Sequence, residues 1–343
     1  MPHPADQPEQ TEIEARLRSQ IEAYHATGLT YACVKLALPE TMGREIWTAE
    51  RLATALDLSA PHLKRLLLGL ATLGLIEERA RDAYTLTEAG RALAPSSAST
   101  LREKLLIVVE QYWQPWANVA ACVKTGTPAF DLVFGETVRD WRRDHPDHGA
   151  VFEAYLESET FTHAGPIVDA LDLTGVSTVA EIGGGHGALL AAVLLAHPHV
   201  HGILMDAPHK LAGARVYLHS HGLTERVGLA KGDATTEVAV AADLYLLKAV
   251  LQQHDDATAQ AILTNVHRAM PDGARLVVIE RLMPEKAADD PAAIMLDLHM
   301  MTITGGKART RPEMETLITE AGLAIAKLSK TDEGLAVIEC ALR

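Results

Sequence analysis

A glycine-rich turn between an apolar strand and an apolar helix constrains this chain more than any other feature. Residues 179–190 read Val-Ala-Glu-Ile-Gly-Gly-Gly-His-Gly-Ala-Leu-Leu. Glycines let the backbone turn sharply and let a ligand approach it closely. The order is not the GxGxxG of a pyrophosphate-binding helix start. It is the E/D-x-G-x-G-x-G form, in which the loop curves around the amino-acid end of a nucleoside ligand, so the turn predicts a nucleoside site.

Two carboxylates follow at the ends of the next two predicted strands. Asp206 lies 23 residues after Gly183, where it can accept hydrogen bonds from both ribose hydroxyls. Asp233 follows the third strand, where it can receive the amino group of adenine. Each piece alone occurs in many α/β proteins, but three pieces in order at strand ends predict nucleoside binding.

The region around these motifs predicts an α/β fold. After Gly175, short β-branched runs alternate with helix-length segments, a pattern typical of parallel βαβ units. We therefore expect a Rossmann-like, doubly wound and mainly parallel sheet in the C-terminal half. The predicted strands are 178–182, 202–205, 227–230, 244–247, 275–279 and 335–341.

The N-terminal half predicts helices and a winged-helix pattern. Apolar residues at helical spacing indicate a helix over 11–27, a second helix is expected over 31–38, and 47–93 reads as two helices and a β-hairpin. A winged helix can bind DNA or serve as a packing or dimerisation module. The formal net charge of −14 favours the second interpretation, because binding to phosphates needs a basic surface.

The chain divides by pattern into three regions. Segments 101–124 and 146–171 are predicted to be helical, and 125–145, with its glycines and proline, reads as a loop-rich linker. The predicted domains are a winged-helix dimerisation domain (11–100), a helical linker region (101–171) and a Rossmann-like nucleoside-binding domain (172–343).

Cysteine usage and hydropathy predict the cellular setting. The three cysteines, Cys33, Cys122 and Cys340, are far apart and show neither disulfide nor zinc-site spacing, so we expect a reduced, cytoplasmic protein. The longest apolar run, 188–196, is too short to span a bilayer. Neither a membrane, a nucleic acid nor a metal is expected as a partner.

The sequence resembles class I S-adenosylmethionine-dependent O-methyltransferases. Segments 181–190, 232–234 and 243–251 carry the likeness, which extends over nearly the whole chain. It is closest to the bacterial branch that modifies secondary metabolites and to plant caffeate-type enzymes. The resemblance implies S-adenosylmethionine as cofactor, S-adenosylhomocysteine as product and a homodimer formed through the winged-helix domain. It also implies a small aromatic acceptor that is methylated at oxygen, nitrogen or sulfur.

The resemblance also assigns the cofactor contacts. Glycines of the turn would line the methionine end, a strand-end aspartate would hold the ribose, and a lysine would lie beside the cofactor after the fourth strand. In the family an aromatic residue often follows the Gly-Asp pair, and here that residue is alanine. The implied cofactor residues are Glu181, Gly183, Gly185, Asp206, Asp233, Ala234 and Lys248.

The catalytic residues depart from the family pattern. Methyl transfer to a hydroxyl is an in-line displacement that needs an aligned acceptor and removal of its proton. Where the family has a histidine base after the fourth strand, this chain has Gln252, whose amide orients a substrate but takes no proton near neutral pH. One flanking carboxylate of the family matches Glu280, and Ala308 replaces the other.

Three explanations of this departure stay open. Another histidine could serve as the base. His299 is the first candidate, because the family commonly has at this position an asparagine that faces the acceptor; His254 and His163 are further candidates. The acceptor could already be nucleophilic, as an amine, a thiolate or an acidified phenol is. Or the fold could have been diverted to hydroxylation, decarboxylation or pericyclic chemistry, with Gln252 donating to a substrate carbonyl. A winged-helix regulator is a further class of function, which the acidic charge disfavours.

The acceptor pocket is expected to combine the helical region with the segment around 297–300. Aromatic side chains there could stack on a planar substrate or simply pack in the core. The candidates for acceptor contact are Trp116, Tyr155, Asp297 and Met300.

Overall fold

A computed structural model describes residues 6–343, and the surroundings of side chains from residue 11 onward. The chain divides into two compact units, of which the first ends at Gln111 and the second is Tyr112–Arg343. None of the described helices is both long enough and apolar enough to cross a membrane.

The first unit has the predicted helices and hairpin. Thr48 caps the fourth helix by accepting a hydrogen bond from the Arg51 N–H (3.1 Å), and an isolated bridge joins Trp47 to Tyr84 on the hairpin. The predicted limits of the first helices are wrong: the break comes at Ala23, and a second break at Ala37, in the left-handed region with φ 53°, separates two further helices. The elements are α1 (Asp6–Glu22), α2 (Tyr24–Lys35), α3 (Leu38–Met42), α4 (Ala49–Leu56), α5 (Ala60–Thr72), β1 (Ile76–Ala80), β2 (Ala83–Leu86), α6 (Glu88–Arg91) and α7 (Leu101–Ile107), followed by a π-helical turn (Val108–Tyr112).

The second unit begins with short helices. The prediction of a loop-rich linker over 125–145 is wrong, because two helices lie there and bury Phe130 and Trp141. Gly126 and Gly135, which suggested a loop, end helices in the left-handed conformation. These elements are α8 (Trp113–Ala117), α9 (Val119–Thr125), α10 (Ala129–Phe134), α11 (Val138–Asp144), α12 (Pro146–Thr162) and α13 (Gly165–Ala170).

A seven-stranded sheet, in the order β5-β4-β3-β6-β7-β9-β8, follows these helices in the second unit. Together with the helices that cover it, this sheet confirms the predicted α/β fold. The first five strands in this order are parallel, and β9 runs antiparallel to both of its neighbours. The strands are β3 (Thr178–Ile182), β4 (His201–Asp206), β5 (Val227–Lys231), β6 (Leu244–Lys248), β7 (Arg275–Glu280), β8 (Leu323–Lys330) and β9 (Ala336–Leu342).

Helices on both faces of the sheet cover two separate hydrophobic clusters. Strand β3 pairs with β4 on one side and with β6 on the other, so the strand order reverses there. In open α/β sheets, ligands bind beyond the carboxyl ends of the strands at such a switch point. The helices of this region are α14 (Ala188–Ala196), α15 (Pro208–Ser220), α16 (Asp256–Ala269), α17 (Pro291–Ile303) and α18 (Arg311–Glu320).

Candidate active site

The glycine-rich turn joins β3 to α14 at the switch point. The Gly183 N–H donates to the Met205 carbonyl at the end of β4 (2.8 Å). Gly185 has φ +61°, in the left-handed region that residues with a Cβ rarely adopt. A Cβ on Gly184 would lie 2.3 Å from the carboxyl carbon of Glu181, so this position has no room for a side chain. The path of the turn is therefore fixed, and no side chain covers its backbone at the three glycines 183–185.

Asp206, at the end of β4, is held by the backbone. Its Oδ2 accepts from the Gly185 N–H (2.7 Å), and its Oδ1 accepts from the Ala207 N–H (2.6 Å). A carboxylate has about four lone-pair sites, so both oxygens keep further acceptor capacity. A fixed carboxylate beside a bare glycine turn fits a ribose with two neighbouring hydroxyls.

An acid–base pair is buried beneath the turn, at the ends of β3 and β6. Burial raises the pKa of Glu181 to about 7, against the opposing effects of the Leu190 N–H, which donates to its Oε2 (3.1 Å), and of Lys248. Burial also lowers the pKa of Lys248, against the attraction of Glu181 and Glu159. The lysine Nζ donates to Thr160 Oγ1 (3.1 Å). The charge of each group therefore stabilises the charged form of the other against the effect of burial.

Helix α12 is tied to the turn by polar contacts, and none of its residues is buried. Glu153 pairs with Lys210 (3.1 Å), and Glu157 pairs with His186 of the turn. Burial opposes a charge on His186, but the carboxylates of Glu157 and Glu153 outweigh it and raise the pKa of the imidazole. A Cβ on Gly185 would lie 3.4 Å from a Glu153 carboxylate oxygen, so α12 packs directly on the turn.

Asp233 follows β5 as predicted. Its Oδ1 accepts from the backbone N–H (2.9 Å) and the hydroxyl (2.7 Å) of Thr235. Burial raises the pKa of Asp233, but these two bonds outweigh burial and lower it, so the group is a carboxylate at neutral pH. The carbonyl of Ala234 accepts from Asn265 Nδ2 (2.9 Å).

Gln252 lies in a 3₁₀ turn, Leu251–Gln253, that follows β6. Its backbone N–H donates to Glu280 Oε1 (3.0 Å), and its carbonyl accepts from the Lys307 N–H (2.9 Å). A Cβ on Gly306 would lie 2.1 Å from that carbonyl, so the two backbones touch. The main chain at position 252 is fixed on both sides, whatever its side chain.

A buried arginine holds the same loop. Arg309 is 0% exposed, and its guanidinium donates to the carbonyls of Leu251 (2.9 Å) and His254 (3.0 Å) and to Asp256 Oδ1 (2.8 Å). Arg309 was not among the residues singled out from the sequence. Nothing local in the sequence marks it as the clamp of a loop more than fifty residues away.

Two carboxyl side chains accept from backbone N–H groups here: Glu280 from Gln252, and Asp297 from Ala308. Glu280 is 1% exposed, and its Oε2 has no hydrogen-bond partner among the described residues. Burial raises the pKa of Glu280 to about 7, against the Gln252 N–H and the charge of Arg309. Asp297 Oδ1 accepts from the Ala308 N–H (2.9 Å), so a carboxylate from α17 stands beside the position where the second expected carboxylate is missing.

An aromatic cluster surrounds His299 of α17; it consists of His299, Tyr112, Trp116 and Phe152, together with Arg142. The Tyr112 ring meets the imidazole edge-on at 4.6 Å, and the Trp116 ring stacks at 6.2 Å. Trp116 Nε1 donates to His299 Nδ1 (3.3 Å). Arg142 donates to the Tyr112 hydroxyl (2.8 Å), and its guanidinium carbon lies 3.3 Å from the centroid of the Phe152 ring.

The other two predicted acceptor residues lie near this cluster. Burial, together with Glu159 and Tyr112, raises the pKa of Tyr155 to about 12, so it is a neutral phenol beside Tyr112. Met300 is 8% exposed, and the Thr304 hydroxyl lies 4.0 Å from its sulfur. Sequence reasoning missed Arg142 and Tyr112, because the π-helical turn that places Tyr112 has no sequence signal.

The remaining base candidates lie elsewhere. His163 is exposed at the end of α12, and its Nδ1 bonds Glu333 (2.7 Å). Burial lowers the pKa of His254, against the charge of Asp233. No described contact joins either histidine to the aromatic cluster. Within residues 6–343 no group of three or more acidic, histidine or cysteine side chains is arranged to hold a metal ion.

Two family models match the chain. The model of the O-methyltransferase domain matches residues 116–324, and the model of the O-methyltransferase dimerisation domain matches residues 20–96. Together they cover both units.

Curated relatives match over most of their length. The chain is 32% identical to a phenazine O-methyltransferase of Lysobacter antibioticus (95% of this chain, 96% of that protein) and 32% identical to an O-demethylpuromycin-O-methyltransferase of Streptomyces alboniger (97% and 89%). It is 33% identical to the aclacinomycin 10-hydroxylase of Streptomyces purpurascens over 81% of this chain and 76% of that protein.

Solved structures show the same fold. The structure of the enzyme LaPhzM matches with a TM-score of 0.90 at 32% identity, covering 96% of this chain and 99% of that one. An O-methyltransferase from neocarzinostatin biosynthesis, solved with S-adenosylmethionine and 2-hydroxy-5-methyl naphthoic acid, matches with a TM-score of 0.80 at 27% identity (93% and 96%).

Proposed function

Because this chain belongs to the O-methyltransferase family, whose members use S-adenosylmethionine, we propose that it methylates a hydroxyl group of a small aromatic secondary metabolite. The observation that carries the proposal is the bond from the Gly185 N–H to Asp206 (2.7 Å), which fixes a carboxylate at the mouth of a bare glycine turn. When bound, S-adenosylmethionine supplies a methyl group activated by its sulfonium.

We assign the cofactor end to the switch point. Gly183 and Gly185 would line the methionine part, Asp206 would accept from the ribose hydroxyls, and Asp233 would receive the adenine amino group. Their supports are the fixed carboxylate of Asp206 and the lowered pKa of Asp233. Three further residues would complete the surroundings: Glu181 and Lys248 beneath the turn, and Ala234 beside adenine.

We assign the acceptor end to the aromatic cluster. Trp116 and Tyr155 would flank a planar ring, and Met300 and Asp297 would limit the pocket along α17. The named acceptors of relatives, a phenazine and a naphthoic acid, are planar aromatic molecules, which supports this assignment. Glu280 and Gln252 would act together, because the Gln252 N–H donates to the carboxylate.

We further propose that the active enzyme is a homodimer formed through the first unit, in a reduced cytoplasmic setting. The dimerisation model covers residues 20–96, and α1 exposes Ile13, Leu17 and Ile21 (43%, 49% and 73%). The three cysteines are buried and unpaired. Light scattering after size exclusion tests the dimer, and a monomeric mass for the wild type would refute it.

The enzymatic test measures transfer of a methyl group. Purified protein, S-adenosylmethionine and a panel of phenols, naphthols and phenazines should yield S-adenosylhomocysteine and a product heavier by one methyl group. Asp206→Asn should weaken S-adenosylhomocysteine binding by about 10- to 100-fold, because hydrogen bonds to a charged acceptor are lost. Asp332→Asn, at an exposed position, is the matched control.

Two outcomes would contradict the proposal. A product without an added methyl group would favour the diverted chemistry, for which the hydroxylase relative is a precedent. Equal cofactor binding by Asp206→Asn and Asp332→Asn would remove Asp206 from the cofactor site.

A further inference from the structure

The hydrogen bond from Trp116 fixes the tautomer of His299. An indole N–H is only a donor, so the His299 Nδ1 that receives it at 3.3 Å must carry a free lone pair. In a neutral imidazole the proton then lies on Nε2. The stacking of Trp116 and the edge contact of Tyr112 hold the ring in this orientation.

The surroundings keep this imidazole neutral. Burial lowers the pKa of His299, and the positive charge of Arg142 lowers it further, to about 4. The other titratable groups here are Tyr112 of the cluster, Tyr155 beside it and Glu159 next to Tyr155; burial keeps the Tyr155 phenol neutral. Near neutral pH the ring therefore offers one N–H donor at Nε2 and no free basic nitrogen.

A fixed N–H donor near a permanent cation is suited to an oxyanion. The Arg142 guanidinium is always charged, and its bond to the Tyr112 hydroxyl (2.8 Å) and its stacking on Phe152 keep it beside the cluster. Tyr112 connects the two groups, because its hydroxyl accepts the Arg142 bond and its ring meets the His299 imidazole at 4.6 Å. The charge of Arg142, which disfavours an imidazolium, favours a negatively charged acceptor.

We infer that His299 donates its Nε2–H to the acceptor oxygen, and that the acceptor is an acidic aryl alcohol bound as its phenolate. This inference rests on the proposed function. The phenol loses its proton to water on binding. A lone pair of the phenolate oxygen then forms the O–CH₃ bond while the S–CH₃ bond breaks, and the electron pair of that bond stays on sulfur as a neutral thioether. No protein base is needed, which accounts for Gln252 where a base is expected.

The test compares two substitutions at position 299. His299→Gln keeps a hydrogen-bond donor and removes any basic nitrogen, whereas His299→Leu removes both. The probe is 4-nitrophenol, whose anion has its own visible absorption band. With S-adenosylhomocysteine present, the wild type should bind the anion and lower the apparent pKa of the bound phenol. His299→Leu should bind the anion about 10- to 100-fold more weakly, and His299→Gln within about fivefold of the wild type.

A second measurement does not depend on the probe. The ¹⁵N shifts of the imidazole, assigned by difference from His299→Gln, should report a proton on Nε2 and an unprotonated Nδ1 from about pH 5.5 to 8. In Trp116→Phe the donor to Nδ1 is removed, so the two tautomers should become mixed.

The outcomes separate this inference from the proposed function. A wild type that gives no phenolate band, a proton on Nδ1, or a His299→Gln variant as weak as His299→Leu would overturn the inference, even where a methylated product forms. Anion binding that follows the expected order, in a protein that methylates nothing in the panel, would support the inference and refute the proposed function.

Discussion

Glu280→Gln tests whether the carboxylate beneath Gln252 is strained by burial. The side chain is 1% exposed, its Oε2 has no partner among the described residues, and its pKa is raised to about 7. The pKa of Glu in an unfolded chain is about 4.3. This difference corresponds to about 4 kcal/mol between the two protonation states.

The sign of the effect follows from linkage. Below about pH 4 the carboxyl is protonated in both the folded and the unfolded chain, and its titration has no effect on stability. As the pH rises through the unfolded pKa toward about 7, the unfolded chain loses the proton first, so the wild type loses stability. Above about pH 8 the loss is complete, at about 4 kcal/mol. Glutamine has the same shape, can accept from the Gln252 N–H and does not titrate.

The measurement is urea unfolding of the wild type and of Glu280→Gln at several values between about pH 5 and pH 8.5, followed by tryptophan fluorescence. The variant should gain about 2–3 kcal/mol relative to the wild type over this range. The exposed Glu285→Gln makes the same change of formal charge and should show no such trend. A difference between the wild type and Glu280→Gln that is constant with pH would refute the reasoning.

Three further substitutions test the loops on either side of the site. Gly184→Ala should weaken S-adenosylhomocysteine binding by roughly 5- to 150-fold, because its Cβ would lie 2.3 Å from a buried carboxyl carbon and such overpacking costs about 1–3 kcal/mol; Gly165→Ala, with open space around it, should bind normally in the same calorimetric titration. Arg309→Met should lower the free energy of unfolding by about 2–6 kcal/mol in urea, because the carbonyls of Leu251 and His254 each lose a donor at about 1–3 kcal/mol; a loss under about 1 kcal/mol would contradict the clamp. Gln252→His should change kcat/KM for an acidic phenol by less than about tenfold, since the inferred acceptor is already ionised; a gain of about 100-fold or more would show that the missing base limits the native reaction.

The parallel part of the sheet was predictable, because its central strands β3, β6 and β7 are buried and read as short apolar runs. Each of the six predicted strands lies within one residue of an observed strand. The strand that sequence reasoning missed, Leu323–Lys330, is an antiparallel edge strand that buries few of its residues and contains three polar ones, Lys327, Ser329 and Lys330. Its apolar run is only four residues long (323–326), and the polar residues that follow break the strand pattern.

The cofactor end of the site was more predictable than the acceptor end. Gly185 and Asp206 lie 21 positions apart in one βαβ unit, and their contact follows from the local fold. Trp116 and His299 are 183 positions apart, and the bond between them fixes a tautomer that no sequence pattern encodes. The sequence alone therefore favours His299 as the base. In the structure the lone pair of its Nδ1 accepts the Trp116 N–H.

The loop after β6 is held through its backbone, whichever side chain position 252 carries. The backbone of Gln252 is held by Glu280 on its N–H and by the Lys307 N–H on its carbonyl, and Arg309 holds the carbonyl of the preceding residue. None of these bonds involves the side chain of residue 252, so replacing a histidine there costs little structure. Glu280 Oε2 is buried and has no hydrogen-bond partner among the described residues. The other oxygen of Glu280 accepts from the Gln252 N–H and so holds the loop. Glu280→Ala should therefore destabilise the loop even in an enzyme that needs no base.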